Sequence, residues 1–212
     1  MILFVSGLTG DWAKHYMSLS EDIGFLVTPS GGHLPGTVLA NCKRWAADND
    51  CFNGFDEPAY VKMLERWRGV QPGPWWISVP DVVADAAATM QRFEEWEPKI
   101  HAMGFPVALV AQDGLESMVV PWSRFEALFI GGSTEFKLSD DVRALCAEAK
   151  MRGKLVHMGR VNTLRRMETA ARWGVDSIDG SGFSRWKKLI PRGIRWLNRA
   201  QWLAQNQPLM FD

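Results

Sequence analysis

Short apolar runs, set roughly 20–30 residues apart and bounded by turn residues, limit this chain's fold more than any other feature. They are Ile2–Val5, Phe25–Val27, Arg44–Ala47, Trp76–Val79, Val107–Ala111, Leu128–Ile130, Leu155–His157 and Ser177–Ile178. A near-continuous apolar run is what a strand buried on both faces of a parallel sheet looks like. Helical patterns lie between them. Met90, Phe93, Trp96, Ile100 and Met103 follow one another by three or four residues and make one stripe. Ser139-Asp140-Asp141 opens another helix, with a hydroxyl cap and two acids at the positive end of its dipole. Gly153 and Gly174 stand where helices should stop before the seventh and eighth strands. Ser30–Asn41, rich in Gly and Pro, reads as a loop, and Gly193–Asn206 as a last helix within a basic C-terminal segment of about 185–206.

Eight strands alternating with helices predict an α/β fold, a compact (β/α)8 TIM-like barrel over 1–212 as one domain. The second and eighth strands are short, so a doubly wound open sheet of six or seven strands is the alternative. No apolar run reaches the roughly 20 residues of a membrane helix. Met1–Leu8 lacks the basic flank of a secretory leader and soon meets Asp11, so a soluble, cytoplasmic protein is expected. Cys42, Cys51 and Cys146 are odd in number and far apart, and the four histidines form no HExxH pair. Neither a zinc subdomain, a catalytic metal nor a cofactor is expected. From Met151 onward twelve Lys and Arg face four acids, leaving plus eight, so the first 150 residues carry minus eight. That asymmetry suits a polyanion partner at the C-terminal end, or else a solvated face with scattered arginines.

In a β/α barrel the chemistry gathers where strands finish. Those positions hold Asp48-Asn49-Asp50, Pro80-Asp81, Gln112-Asp113, Gly131-Gly132-Ser133, Met158-Gly159-Arg160 and Asp179-Gly180-Ser181-Gly182. Acids, an amide and glycines suit recognition of a flat polar heterocycle with carboxylate catalysis. Each has a plainer reading. Asp81 caps a helix beginning near Val82, Asp48 and Asp50 form turns, and Gly131-Gly132 is a tight turn. Gly180-Ser181-Gly182 as a phosphate loop would make this a barrel enzyme for a small phosphorylated metabolite, with Asp179 moving a proton.

Jointly, these motifs resemble the queuine tRNA-ribosyltransferase (tRNA-guanine transglycosylase) superfamily, in its compact phage-type branch that places 7-deazaguanines in DNA. The resemblance runs from about Trp45 to Arg185. Asp48-Asn49-Asp50-Cys51-Phe52 is similar to the family's Asp-Ser-Gly-Gly-Phe, and Ser78-Val79-Pro80-Asp81 to the strand that ends in its guanine-reading aspartate. Gln112, Gly131-Gly132 and Met158-Gly159 fall where the family has its base-binding glutamine, backbone donor and Met-Gly pair. Gly174-Val175-Asp176-Ser177-Ile178-Asp179 resembles Gly-Ile-Asp-x-Phe-Asp, whose second aspartate is the nucleophile. The sequence departs from the tRNA enzymes in having no cysteine after Cys146, Asp50 in place of a glycine, and Gly180-Ser181-Gly182 in place of Cys-Val-x-Pro-Thr-Arg.

The resemblance implies a guanine transglycosylase acting on DNA in preference to tRNA, in the host cytoplasm if viral. The incoming base would be a 7-deazaguanine such as 7-cyano-7-deazaguanine. Asp179 would be the nucleophile and Asp48 the proton carrier. Asp81, Gln112, Gly131, Gly132, Met158 and Gly159 would hold the base, and Arg160, Arg185, Lys187 and Lys188 the nucleic acid, with Trp186 or Trp196 as stacking surfaces. A non-catalytic DNA-binding relative is a further alternative.

Overall fold

The computed structural model describes residues 1–7 and 10–206. Among them, eight parallel strands close into one barrel in chain order. They are β1 (Ile2–Val5), β2 (Ile23–Val27), β3 (Trp45–Ala47), β4 (Ile77–Ser78), β5 (Val107–Ala111), β6 (Ala127–Ile130), β7 (Leu155–Met158) and β8 (Ser177–Asp179). Ile2, Leu3 and Phe4 of β1 pair in register with Ser177, Ile178 and Asp179 of β8, and this closure excludes the open sheet. Every predicted run contributes a strand. β2 is longer than predicted because Gly24 belongs to it: a Cβ there would overlap the Phe4 ring, so a residue that reads as a breaker makes room inside the barrel. Leu8, in the stretch weighed as a leader, lies outside the described residues.

The helices are α1 (Gly10–Met17), α2 (Pro35–Leu39), α3 (Glu57–Trp67), α4 (Ala86–Ala102), α5 (Thr134–Lys137), α6 (Asp140–Met151), α7 (Leu164–Arg172), α8 (Ser181–Arg185) and α9 (Ile190–Asn206). The expected stripe on α4 faces inward, with Phe93, Trp96 and Ile100 buried. Ser139 caps α6, its hydroxyl accepting from the Val142 N–H. Gly153 and Gly174 sit at positive φ of 71° and 73° just past α6 and α7, where L-residues would be strained. Two expectations need correction. Ser30–Asn41 is not all loop, because Pro35 presets the first turn of α2. The last helix starts three residues before the expected Gly193: α8 stops at Arg185, a 3-10 turn covers Lys187–Leu189, and α9 runs Ile190–Asn206. No helix among the described residues is long and apolar enough to cross a membrane.

Strand alternation splits the apolar side chains into two layers. Ile2, Phe4, Leu26, Ala46, Trp76, Ala108, Val110, Ala127 and Phe129 fill the barrel interior. Their neighbours, such as Leu3, Val27, Ile77, Leu109 and Ile178, face outward beneath the helices. The interior is therefore apolar, with three aromatic rings among its residues. Phe4, Trp76 and Phe129 surround the imidazole of His157, with ring centroids 6.1, 4.6 and 4.5 Å away.

Candidate active site

The same alternation places the polar groups. Ala46, Val110 and Phe129 point into the barrel, and two residues further along each strand so do Asp48, Gln112 and Gly131. The step from His157 to Gly159 and from Ser177 to Asp179 repeats it. All five, with Asp81, Gly132 and Arg160, line one cleft of about 490 Å³, counted with the space open to solvent.

Asp81 is buried and does not cap a helix; α4 is capped instead by Asp85, which accepts from the Ala88 N–H. Asp81 Oδ1 accepts from Asn49 Nδ2 at 2.7 Å, and Oδ2 accepts from Gln112 Nε2 at 2.5 Å. The Ala84 N–H donates to Gln112 Oε1 at 2.8 Å, which fixes that amide with its NH2 end toward Asp81. Burial raises the Asp81 pKa, while the Asn49 and Gln112 hydrogen bonds work against the rise.

Asp48 is half-buried. Its Oδ1 accepts from the Asn49 N–H at 2.9 Å and from the Ser78 hydroxyl at 3.4 Å. Its carboxyl is pushed up to about 7, first by loss of water and then by the negative charges of Asp179 and Asp81. At neutral pH it stands poised to give or take a proton. Asp50, by contrast, keeps its turn-forming role: it lies in the left-handed region at φ 62°, and its Oδ2 accepts from the Ser30 N–H at 3.1 Å.

Asp179 is half-buried at the end of β8. Its Oδ1 accepts from the Arg160 N–H at 2.9 Å and lies 3.4 Å from His157 Nε2. The opposite imidazole nitrogen meets Ser177 Oγ at 2.9 Å. Burial lowers the His157 pKa, against the pull of Asp179, and keeps the ring neutral near pH 7. One carboxylate oxygen of Asp179 is thus anchored, while no described residue donates to Oδ2.

Glycine is required at two points of the wall. A Cβ on Gly131 would lie 2.7 Å from Gln112 Nε2, and one on Gly159 would lie 2.7 Å from the Phe129 ring. Gly132, at φ 77°, offers an N–H that no described residue accepts. Its carbonyl accepts from Arg160 Nη2 at 2.5 Å, and the Arg160 guanidinium lies 4.7 Å from the centroid of Phe52. Phe52, 65% exposed, is a flat apolar surface at the mouth.

Some expected residues lie elsewhere. Met158 is buried behind Gly159 and faces a neighbouring small pocket, so it does not touch the cleft. Arg185, Lys187 and Lys188 lie on α8 and the turn after it, outside the cleft. In Gly180-Ser181-Gly182 the Gly182 N–H already donates to Asn162 Oδ1 at 2.9 Å, which removes one donor from a phosphate loop. Three residues of the site had been given no role: Asn49, His157 and Lys137. Period-two reading of Leu155–Met158 would have pointed His157 inward; the burial of Lys137 carries no comparable signal. Among the described residues, no group of three or more His, Cys, Asp or Glu is placed to hold a metal ion.

No protein-family model matches the chain, and no curated protein does. Among solved structures it is similar to the Amycolatopsis orientalis BexX/CysO complex, at 10% identity, with 99% of this chain and 93% of that chain covered and a TM-score of 0.42. The strand closure itself defines the class, a (β/α)8 barrel.

Proposed function

We propose that this protein is a base-exchange glycosyltransferase, replacing guanine in DNA by a 7-deazaguanine through a glycosyl ester on Asp179. The observation that carries the reading is the meeting of Asp48, Asp81 and Asp179 with Gln112 and Gly132 around one cleft.

Asp179 Oδ2 attacks C1′ of the nucleotide, the C1′–N9 bond breaks, and its electron pair leaves on guanine. Asp48 gives the departing base its proton. Ester formation removes the negative charge of Asp179, one of the groups that raise Asp48, so the proton is released as the ester forms. In the second half the incoming base gives its N9 proton to Asp48, attacks C1′ and expels Asp179, so two inversions retain the configuration. Asp81 keeps a lone pair on each oxygen for the guanine N1–H and 2-amino group. The remaining N–H of Gln112 and the Gly132 N–H address O6. One such buried bond left unmade costs about 1–3 kcal/mol, enough to disfavour adenine. Phe52, which lines the cleft where Met158 does not, offers the base a flat apolar face.

A base within a duplex cannot enter such a cleft, so the target is flipped out or single-stranded. An open groove of about 1140 Å³ beside α7, lined by Arg143, Arg165, Arg166 and Arg172 with one acid, Asp140, supports a polyanion partner. The preference for DNA over tRNA rests on the family resemblance. The test is incubation with DNA and, separately, tRNA, each with radiolabelled guanine. Label is expected in DNA alone and is lost in Asp179→Ala; no label in DNA, or full exchange by that variant, overturns the reading.

A further inference from the structure

Lys137 ends α5, in the connection after β6, and is 4% exposed. Its ammonium has three donors, yet its one hydrogen bond among the described residues is to Gly159 O at 3.3 Å. It faces a small, shallow pocket beside the main cleft, on the far side of Gly159, of about 190 Å³ when the space open to solvent is counted. Three side chains lining that pocket are cations, Lys137, Arg160 and Arg166, and none is an acid. Arg166 Nη2 has the Thr134 hydroxyl as its partner at 3.3 Å, and Arg160 spends one nitrogen on Gly132 O. The cations repel one another. Burial and the guanidinium of Arg160 lower Lys137 to about 8, with Arg166 acting likewise and Asp179 and Asp113 opposing, so it remains charged at pH 7. Those two acids face other donors: Asp113 accepts from the Ser133 N–H and hydroxyl, and Asp179 from the Arg160 N–H.

A buried ammonium with unused donors beside two guanidinium groups is unfavourable in the absence of a counter-charge. We infer that Lys137, Arg160, Arg166 and Thr134 form a phosphate-binding subsite between the loops that follow β6 and β7. Two planar forks, an ammonium and a hydroxyl offer more donors than one carboxylate can accept, and they match the several oxygens of a phosphate. This places the phosphate one loop earlier than Gly180–Gly182. The inference goes beyond the base-exchange reading and holds if that reading fails, since the ligand is either a nucleic-acid phosphodiester or a free phosphate ester. Beside Asp179, the subsite would fix the sugar to which the phosphate belongs.

The test measures affinity at constant ionic strength for three probes: inorganic phosphate, 5′-deoxyguanylate and a single-stranded oligodeoxynucleotide. Wild type is compared with Lys137→Met, Arg166→Gln and, as a control outside the pocket, Arg185→Gln. Loss of one charge-assisted hydrogen bond predicts about tenfold or more weaker binding in the first two variants and unchanged binding of inorganic phosphate in the control. Lys137→Met, which removes a buried charge, should melt no lower than wild type without ligand; Arg166→Gln supplies the same reading from the protein surface. Lys137-dependent binding of the oligonucleotide alone identifies a phosphodiester, and of the two small probes alone a free phosphate. Equal binding by wild type and Lys137→Met, an equal loss of inorganic phosphate binding in Arg185→Gln, or no binding of any probe overturns the subsite. None of these measurements requires base exchange.

Discussion

Asp48→Asn replaces a carboxyl group by a neutral amide of nearly the same shape, and its effect on stability follows from where Asp48 titrates. In the folded chain it holds its proton up to about 7, against 3.8 for an ordinary aspartate. Between these values the unfolded chain has released the proton and the folded chain has not, so stability falls as pH rises. The cost is absent below 3.8 and complete above about 7. About three pH units at 1.36 kcal/mol each give about 4 kcal/mol, a large share of the roughly 5–15 kcal/mol that holds a domain together. Asparagine carries no such cost. Urea denaturation followed by tryptophan fluorescence should show the variant about 4 kcal/mol more stable than wild type at pH 8, shrinking to about 1 kcal/mol at pH 4.5. The same variant should exchange no base. A stability difference that stays constant from pH 4.5 to 8 would refute the claim that Asp48 keeps its proton.

Gly159→Ala puts a methyl 2.7 Å from the Phe129 ring and 3.4 Å from Asp179 Oδ1. It should cost about 1–3 kcal/mol in denaturation and depress exchange further than that loss of folding explains. His101 is raised: burial pulls it down, but the hydrogen bonds that its imidazole makes to Glu126 and Glu97 prevail. Its contribution is therefore full below the ordinary 6.5 and lost as pH rises through the higher folded value, so the gap between His101→Gln and wild type should close as pH is raised above 6.5. Its ring is a third exposed, which limits the effect to about 0.2–1 kcal/mol. Cys42, Cys51 and Cys146 are buried free thiols, and burial raises each, the last two to about 12. Iodoacetamide at pH 8 should leave them unlabelled in the native chain and label all three in guanidinium.

The barrel was legible because strands buried on both sides are apolar throughout, and that signal survives even where β4 shortens to Ile77–Ser78. Strand ends were legible for the same reason, and with them Asp48, Gln112 and Asp179. Helix stops announced themselves through Gly153 and Gly174, whereas α2 hid in a Gly- and Pro-rich stretch because Pro35 starts a helix as readily as it breaks one. Second partners were beyond the sequence. That Asn49 bridges to Asp81, and that His157 reaches Asp179, depends on which side chains meet across the barrel, and local spacing does not record it. Met158 shows the converse. Next to Gly159 in sequence, it points the other way, since neighbours on a strand face opposite sides.

The pairing of Phe4 with Asp179 sets an order of events in the making of the protein. A ribosome emits residues 2–5 long before residues 177–179, so the first strand must wait, one edge unpaired, until β8 has emerged. Such distant pairing is slow to form. Until it forms, Asp179 lacks its partner on β1, and a nascent chain holds no closed cleft.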